Sequence, residues 1–129
     1  MTALLDTHTI LYLAIDPDKL GYQARQIVET EENNLIASIT SLWEIAIKLR
    51  IGKLLLPLGL DDFWSETIEK ARLSEIGVSK TTILRTLELD LSHRDPFDRF
   101  LAAQALELNI PFLSADSAVD PWGVQRIWH

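Results

Sequence analysis

The chain contains no cysteine in 129 residues, which excludes disulfides, zinc–thiolate sites and thiol nucleophiles. Positive charge is also scarce: 12 Lys and Arg against 19 Asp and Glu leave a net charge of −7. Proteins that coat nucleic acid without selectivity carry a basic surface that displaces counterions from phosphates, so that class is excluded. An enzyme remains compatible with this balance if bound metal neutralises its site and basic residues gather at the rim. No stretch approaches the ~18 consecutive apolar residues of a membrane helix. The amino terminus has no basic leader, and Asp6 and His8 interrupt its apolar stretch. No signal peptide is therefore expected, and the cytoplasm is the expected location. No linker, internal repeat or low-complexity tract divides the chain, so residues 1–129 are read as one domain.

Apolar residues make up 47% of the chain, enough for a core without staples at this size. Ala3-Leu4-Leu5 reads as a strand ending at Asp6, with a helix from there through Leu13. Pro17 suits the first turn of a second helix carrying Leu20, Ala24, Ile27 and Val28. Leu35-Ile36-Ala37 reads as a strand. Thr40 to Arg50 reads as a helix, with Leu42, Ile45, Ala46 and Leu49 at helical spacing and Gly52 beyond its end. Asp61 to Arg72 reads as a helix, Ile76-Gly77-Val78 as a strand, and Lys80 to Leu89 as a helix. Asp95-Pro96 opens a further helix with Phe97, Leu101, Ala105 and Leu108 on one side. Ile110 to Leu113 and Val124 to Trp128 complete the strands. Strands that alternate with helices predict an α/β protein in three layers, its mainly parallel sheet covered on both faces.

Four acidic positions stand at strand ends or helix starts: Asp6, Glu44, Asp98 and Asp116. Each has a plain structural role open to it. Asp6, Asp95 and Asp116 suit helix or turn caps, and Asp98 suits the first turn of a helix. Ser41-Leu42-Trp43-Glu44 has the pattern of a capping box, and Glu44 precedes Lys48 by four residues, a stabilising helix pair. Caps do not explain why the acids fall at one edge of the predicted sheet. In open α/β sheets, residues beyond the carboxyl ends of strands line a common cleft. Carboxylates crowded there repel by several kcal/mol at an effective dielectric of ~20, and a hard divalent cation converts that repulsion into coordination. Phosphate chemistry with Mg²⁺ or Mn²⁺ is the function this pattern predicts.

Leu5-Asp6-Thr7, Trp43-Glu44-Ile45, the run from His93 to Ala105 (His-Arg-Asp-Pro-Phe-Asp-Arg-Phe-Leu-Ala-Ala-Gln-Ala) and Ser114-Ala115-Asp116 resemble the PIN-domain ribonucleases. Among these they are similar in particular to the VapC-type toxins of prokaryotic toxin–antitoxin pairs. The resemblance spans the chain in the family's order, and the third stretch is its most specific part. It implies a three-layer α/β/α PIN-like fold, an Mg²⁺- or Mn²⁺-dependent endoribonuclease, an RNA substrate, a cognate antitoxin and a homodimer. It also implies that Asp6, Glu44, Asp98 and Asp116 are the catalytic, metal-binding carboxylates, and that Asp98 rather than Asp95 is the third. Thr7 and Ser114 match small hydroxyl positions that line such sites. The segment Ser117 to Trp122 departs from the family by lacking basic residues.

Arg94, Arg99, Lys48, Arg50 and Lys53 are candidates to guide a phosphate backbone, with ordinary surface charge as the alternative for each. Trp43, Ile47 and Ile51 form a second apolar arc beside Glu44, suited either to the core or to a protein partner. Trp64, Trp122 and Trp128 are expected in packing. His8, His93 and His129 lack zinc-ligand spacing and are not expected to be ligands. The competing functions are a receiver-like phosphoacceptor, a haloacid-dehalogenase-like phosphatase and an inactive binding module of the same fold. The first lacks its acid pair and late lysine here, and the second lacks its second aspartate after Asp6.

Overall fold

The computed structural model describes residues 1–129. Strand β1 (Thr2–Leu5) leads into helix α1 (Thr7–Ile15), followed by α2 (Tyr22–Glu29), β2 (Asn34–Ser38), α3 (Ile39–Arg50) and α4 (Leu60–Lys70). The second half comprises β3 (Leu73–Ile76), α5 (Lys80–Arg85), α6 (Pro96–Leu108), β4 (Phe112–Leu113) and β5 (Arg126–Ile127). The strands form one sheet in the order β3-β2-β1-β4-β5, and every neighbouring pair is parallel. From β1 the chain adds β2 and β3 on one side and then β4 and β5 on the other, so the order of addition reverses between β1 and β4. That boundary is the switch point at which a cleft opens beyond the strand ends.

Alternation along β1 divides the core. Ala3 and Leu5 face one side with Leu35, Ala37 and Leu73, packing on Ile10, Leu11, Ile45, Phe63 and Trp64. Leu4 and Ile36 face the other side, where they meet Phe112 and helix α6. Helix α6 presents Leu101, Ala102, Ala103 and Ala105 to the sheet, all fully or nearly fully buried. These residues fix α6 against the face of the sheet that carries Leu4, Ile36 and Phe112. The result is a three-layer α/β/α arrangement around a parallel sheet, as the alternation of elements predicts.

Three of the boundaries that differ from the sequence reading have a cause visible in the structure. Pro17 starts only a 3₁₀ turn through Lys19, and the helix proper begins after Gly21. A Cβ on Gly21 would lie 2.1 Å from the Trp128 carbonyl oxygen, and that same oxygen accepts from the Ala24 amide. The returning carboxyl terminus therefore breaks the helix in two. Strand β3 lies earlier than expected because it pairs with β2 from Leu35↔Leu73 to Ser38↔Ile76 and stops where β2 stops. Helix α5 ends at Arg85 rather than Leu89. The chain continues as a 3₁₀ turn over Thr86–Glu88, the Leu89 amide donating to the Thr86 carbonyl at 3.3 Å. The Thr86 and Leu89 carbonyls also accept from the Arg99 guanidinium at 2.9 and 2.8 Å.

Candidate active site

Asp6 follows β1 and caps α1, its Oδ1 accepting the Thr7 amide at 2.7 Å. Its Oδ2 accepts the Ser114 hydroxyl at 2.6 Å. Ser114 follows β4, so this bond crosses the switch point. The Ser114 oxygen in turn accepts the Asp116 amide at 3.0 Å. Asp6 is only 4% exposed. Burial raises its pKa most; the Ser114 and Thr7 hydrogen bonds oppose the rise, and the charge of Glu44 adds to it.

Glu44 arrives from α3. That helix is capped by Ser38, whose side chain accepts the Thr40 amide, so Ser41 to Glu44 is not a capping box. Ser41 and Glu44 lie instead on the inward face of the helix, and Glu44 is 5% exposed. Thr7 Oγ1 donates to Glu44 Oε1 at 2.7 Å and lies 2.9 Å from Ser41 Oγ. Lys48 Nζ is 2.9 Å from Glu44 Oε2, one helical turn along. The lysine thus serves the carboxylate and is not free to guide phosphate.

Asp98 stands in the first turn of α6. Its neighbour Asp95 is the cap, accepting the amides of Phe97 and Asp98 at 2.9 and 3.1 Å. This division of labour leaves the Asp98 carboxylate to face the site. Its pKa is pushed up to about 7, chiefly by burial. Repulsion from Asp6, Asp95 and Glu44 adds to the rise, while the hydrogen bond with His93 opposes it. Asp98 therefore shares a field with Asp6 and Glu44, although the three come from α6, the end of β1 and α3.

His93 lies beside two of the acids, a position that zinc-ligand spacing gives no reason to expect. Its Nε2 lies 2.7 Å from Asp98 Oδ2 and 3.9 Å from Asp116 Oδ2. The Asp98 hydrogen bond raises the imidazole pKa most, against burial, with the charges of Asp98, Asp116 and Asp95 adding to it. Zinc-ligand spacing is the wrong signal for such a residue. The informative one is its place just ahead of Asp95 and Asp98. Asp116 is exposed at the edge of the group, with Oδ1 capping the following turn through the Ala118 amide at 2.9 Å.

The cations predicted for phosphate contact separate sharply. Arg99 directs its guanidinium at the carbonyls of Thr86, Leu89, Asp90 and His93, so it holds a loop instead of reaching outward. Arg94 is exposed and lines a groove of about 450 Å³ with Trp43, Pro96 and Phe97. Arg50 and Lys53 are exposed beyond the site at the end of α3.

The donor set suits a hard divalent cation. Asp98 and Asp116, with His93, place donor atoms close enough to share one ion. Asp6 and Glu44 lie outside that group and hold partners of their own, and the Asp6 oxygens each keep a lone pair beyond the bonds they accept. A preference for oxygen ligands and retained water is met by two or three carboxylates. The chemistry open to this arrangement is stabilisation and cleavage of a phosphate ester.

No curated protein matches the chain by sequence. Among solved structures, it is similar to VapBC2 from Rickettsia felis, crystallised bound to a DNA fragment from their promoter. That likeness has a TM-score of 0.72 at 15% identity and covers 100% of both chains. It is also similar to FitAcB from Neisseria gonorrhoeae, with a TM-score of 0.54 at 18% identity over 97% of this chain and 96% of that one. At such identities these likenesses speak for the fold. The family model of the PIN domain matches residues 3–120, a span that holds Asp6, Glu44, Asp98 and Asp116. On that match, and with a fold that agrees, the chain belongs to the PIN domain family.

Proposed function

We propose that this protein is an Mg²⁺- or Mn²⁺-dependent endoribonuclease acting as the toxin of a toxin–antitoxin pair. The observation that carries the reading is that Asp6, Glu44 and Asp98, brought from three separate elements, lie near enough for the charges of the first two to raise the Asp98 pKa. Membership in the PIN family supports a hydrolase acting on nucleic acid and leaves a receiver-like phosphoacceptor without support.

Asp6 and Asp98 would hold the cation, with Glu44 and Asp116 completing its surroundings directly or through water. When bound, the metal supplies Lewis acidity, activating water and offsetting charge on the scissile phosphate. The remaining work falls to the chain. Ser114 and the Thr7 amide fix the Asp6 carboxylate, and the Thr7 hydroxyl and Lys48 fix that of Glu44. Asp95 sets the first turn of α6 so that Asp98 points inward. Arg94, exposed at the rim and without an acidic partner, is the cation available to the RNA backbone. Structured RNA with single-stranded loops is the expected substrate, since loops display a flexible backbone and unstacked bases.

The toxin assignment rests on the motif resemblance and on the fold shared with VapBC2. Trp43 and Ile51 on α3 are 62% and 58% exposed, an apolar surface suited to an antitoxin or a second copy of the chain. Incubating wild type and Asp98→Asn with total RNA, with Mg²⁺ or with chelator, tests the enzymatic core. Cleavage by the wild type with Mg²⁺ alone, and none by the folded variant, is expected. Equal cleavage by both proteins overturns the assignment.

A further inference from the structure

We propose that His93 is a metal ligand of this site, giving it a nitrogen donor and a preference for transition-metal dications such as Mn²⁺ over Mg²⁺. The inference rests on the metal-site reading above and extends it to a residue outside the four carboxylates. One nitrogen of His93 and one oxygen each of Asp98 and Asp116 lie within 4.8 Å of one another. That spacing is compact enough for one ion to be shared by all three.

The imidazole is also held in place by its own supports. Its ring stacks on Trp122 at 5.8 Å with an interplanar angle of 28°. Trp122 donates from its indole nitrogen to the Asp90 carbonyl at 3.3 Å, and the Arg99 guanidinium lies over the same indole at 5.4 Å. Arg99 also binds the His93 carbonyl at 3.1 Å along with those of Thr86, Leu89 and Asp90. Ring and backbone are thus both fixed in a segment without regular secondary structure. This support fixes where the Nε2 edge of the ring points, toward Asp98 and Asp116, as a metal ligand requires of the residues behind it.

The chemistry follows from donor type. Mg²⁺ takes oxygen and gives up water reluctantly, so an imidazole among carboxylates adds little to its binding. Affinity of nitrogen-containing sites rises from Mn²⁺ through Co²⁺, so the same ring strengthens the hold on those ions. A residue that only positioned Asp98 would affect both metal classes alike.

Pulsed electron paramagnetic resonance on the full chain loaded with Mn²⁺ tests the contact directly. Nitrogen coupling to Mn²⁺ is expected in the wild type, changed by selective ¹⁵N-histidine labelling and absent from His93→Ala. By competition titration, the variant should lose ~10-fold or more in Mn²⁺ affinity, with a smaller loss for Mg²⁺. Bound Mn²⁺ without histidine coupling overturns this inference and leaves the nuclease proposal standing. Failure of the wild type to bind Mn²⁺ at all overturns both. Where His93→Ala does not fold, the labelled protein carrying His8→Gln and His129→Gln keeps His93 as its only histidine and decides between these outcomes.

Discussion

At the scale of single residues, Ser114 shows how much one hydroxyl can settle. It is fully buried, donates to Asp6 and accepts the Asp116 amide, so it links the ends of β1 and β4. Ser114→Ala leaves a buried carboxylate oxygen without its donor, a loss of about 1–3 kcal/mol. Urea denaturation in chelator should show that loss. The hydrogen bond also opposes the rise in the Asp6 pKa, so its removal makes the carboxylate harder to ionise. More Mg²⁺ should then be needed for half-maximal cleavage. If the variant matches the wild type in both measurements, the serine is a spectator. Thr7 has the same logic toward Glu44, and its hydroxyl explains why a small polar residue follows Asp6.

Among the elements, the segment between α5 and α6 is the one whose structure depends on a distant side chain. Arg99 sits on α6, yet its guanidinium serves four carbonyls between Thr86 and His93. A lysine keeps the charge but cannot reproduce the planar fork. Arg99→Lys should therefore destabilise the chelated protein by roughly 1–3 kcal/mol, measured by thermal or urea unfolding. Unchanged stability with weakened RNA binding would restore the phosphate-guiding role expected from sequence. This segment also marks where reading the sequence runs out. Periodicity locates α3 and α6 because each buries a stripe of its own residues, and Asp95-Pro96 announces the start of α6 by its cap. The tightening of α5 into a 3₁₀ turn at Thr86 and the break at Gly21 have no local signal; carbonyls at the first are held by Arg99, and the second lies against Trp128. The site divides in the same way. Asp6, Glu44, Asp98 and Asp116 are legible because they stand at strand ends or in motifs. His93 enters through a fold of irregular backbone, and periodicity cannot reach it.

For the molecule as a whole, crowding of acids in one cleft should be visible as a coupling among protons, metal and stability. Asp98, with a folded pKa of about 7, and Asp6 both sit above the ordinary carboxylate value, and His93 is raised above the ordinary imidazole value. A group whose pKa is higher in the folded state binds protons more tightly there. Its contribution is fully present below the unfolded value and is lost as pH rises through the folded one. All three groups therefore act in the same direction. Asp120 and Asp90, both lowered, act oppositely but titrate below the ordinary carboxylate range, outside the neutral window. Metal-free protein should accordingly lose stability as pH rises from 3.8, the ordinary Asp value, to about 7, with His93 extending the loss above 6.5. Asp98→Asn, which carries no charge to crowd, should flatten that decline and melt higher than wild type at the alkaline end. A divalent cation competes for the same carboxylates, so the rise in Tm on adding Mg²⁺ should grow across this window. At ~100 times its Kd, bound metal contributes about 2.7 kcal/mol, enough to reverse much of the alkaline loss. Scanning calorimetry of both proteins with chelator and with Mg²⁺ measures all of these effects together. A wild-type Tm that is flat with pH and indifferent to Mg²⁺ would mean that the carboxylates share no charge-crowded site and hold no metal between them.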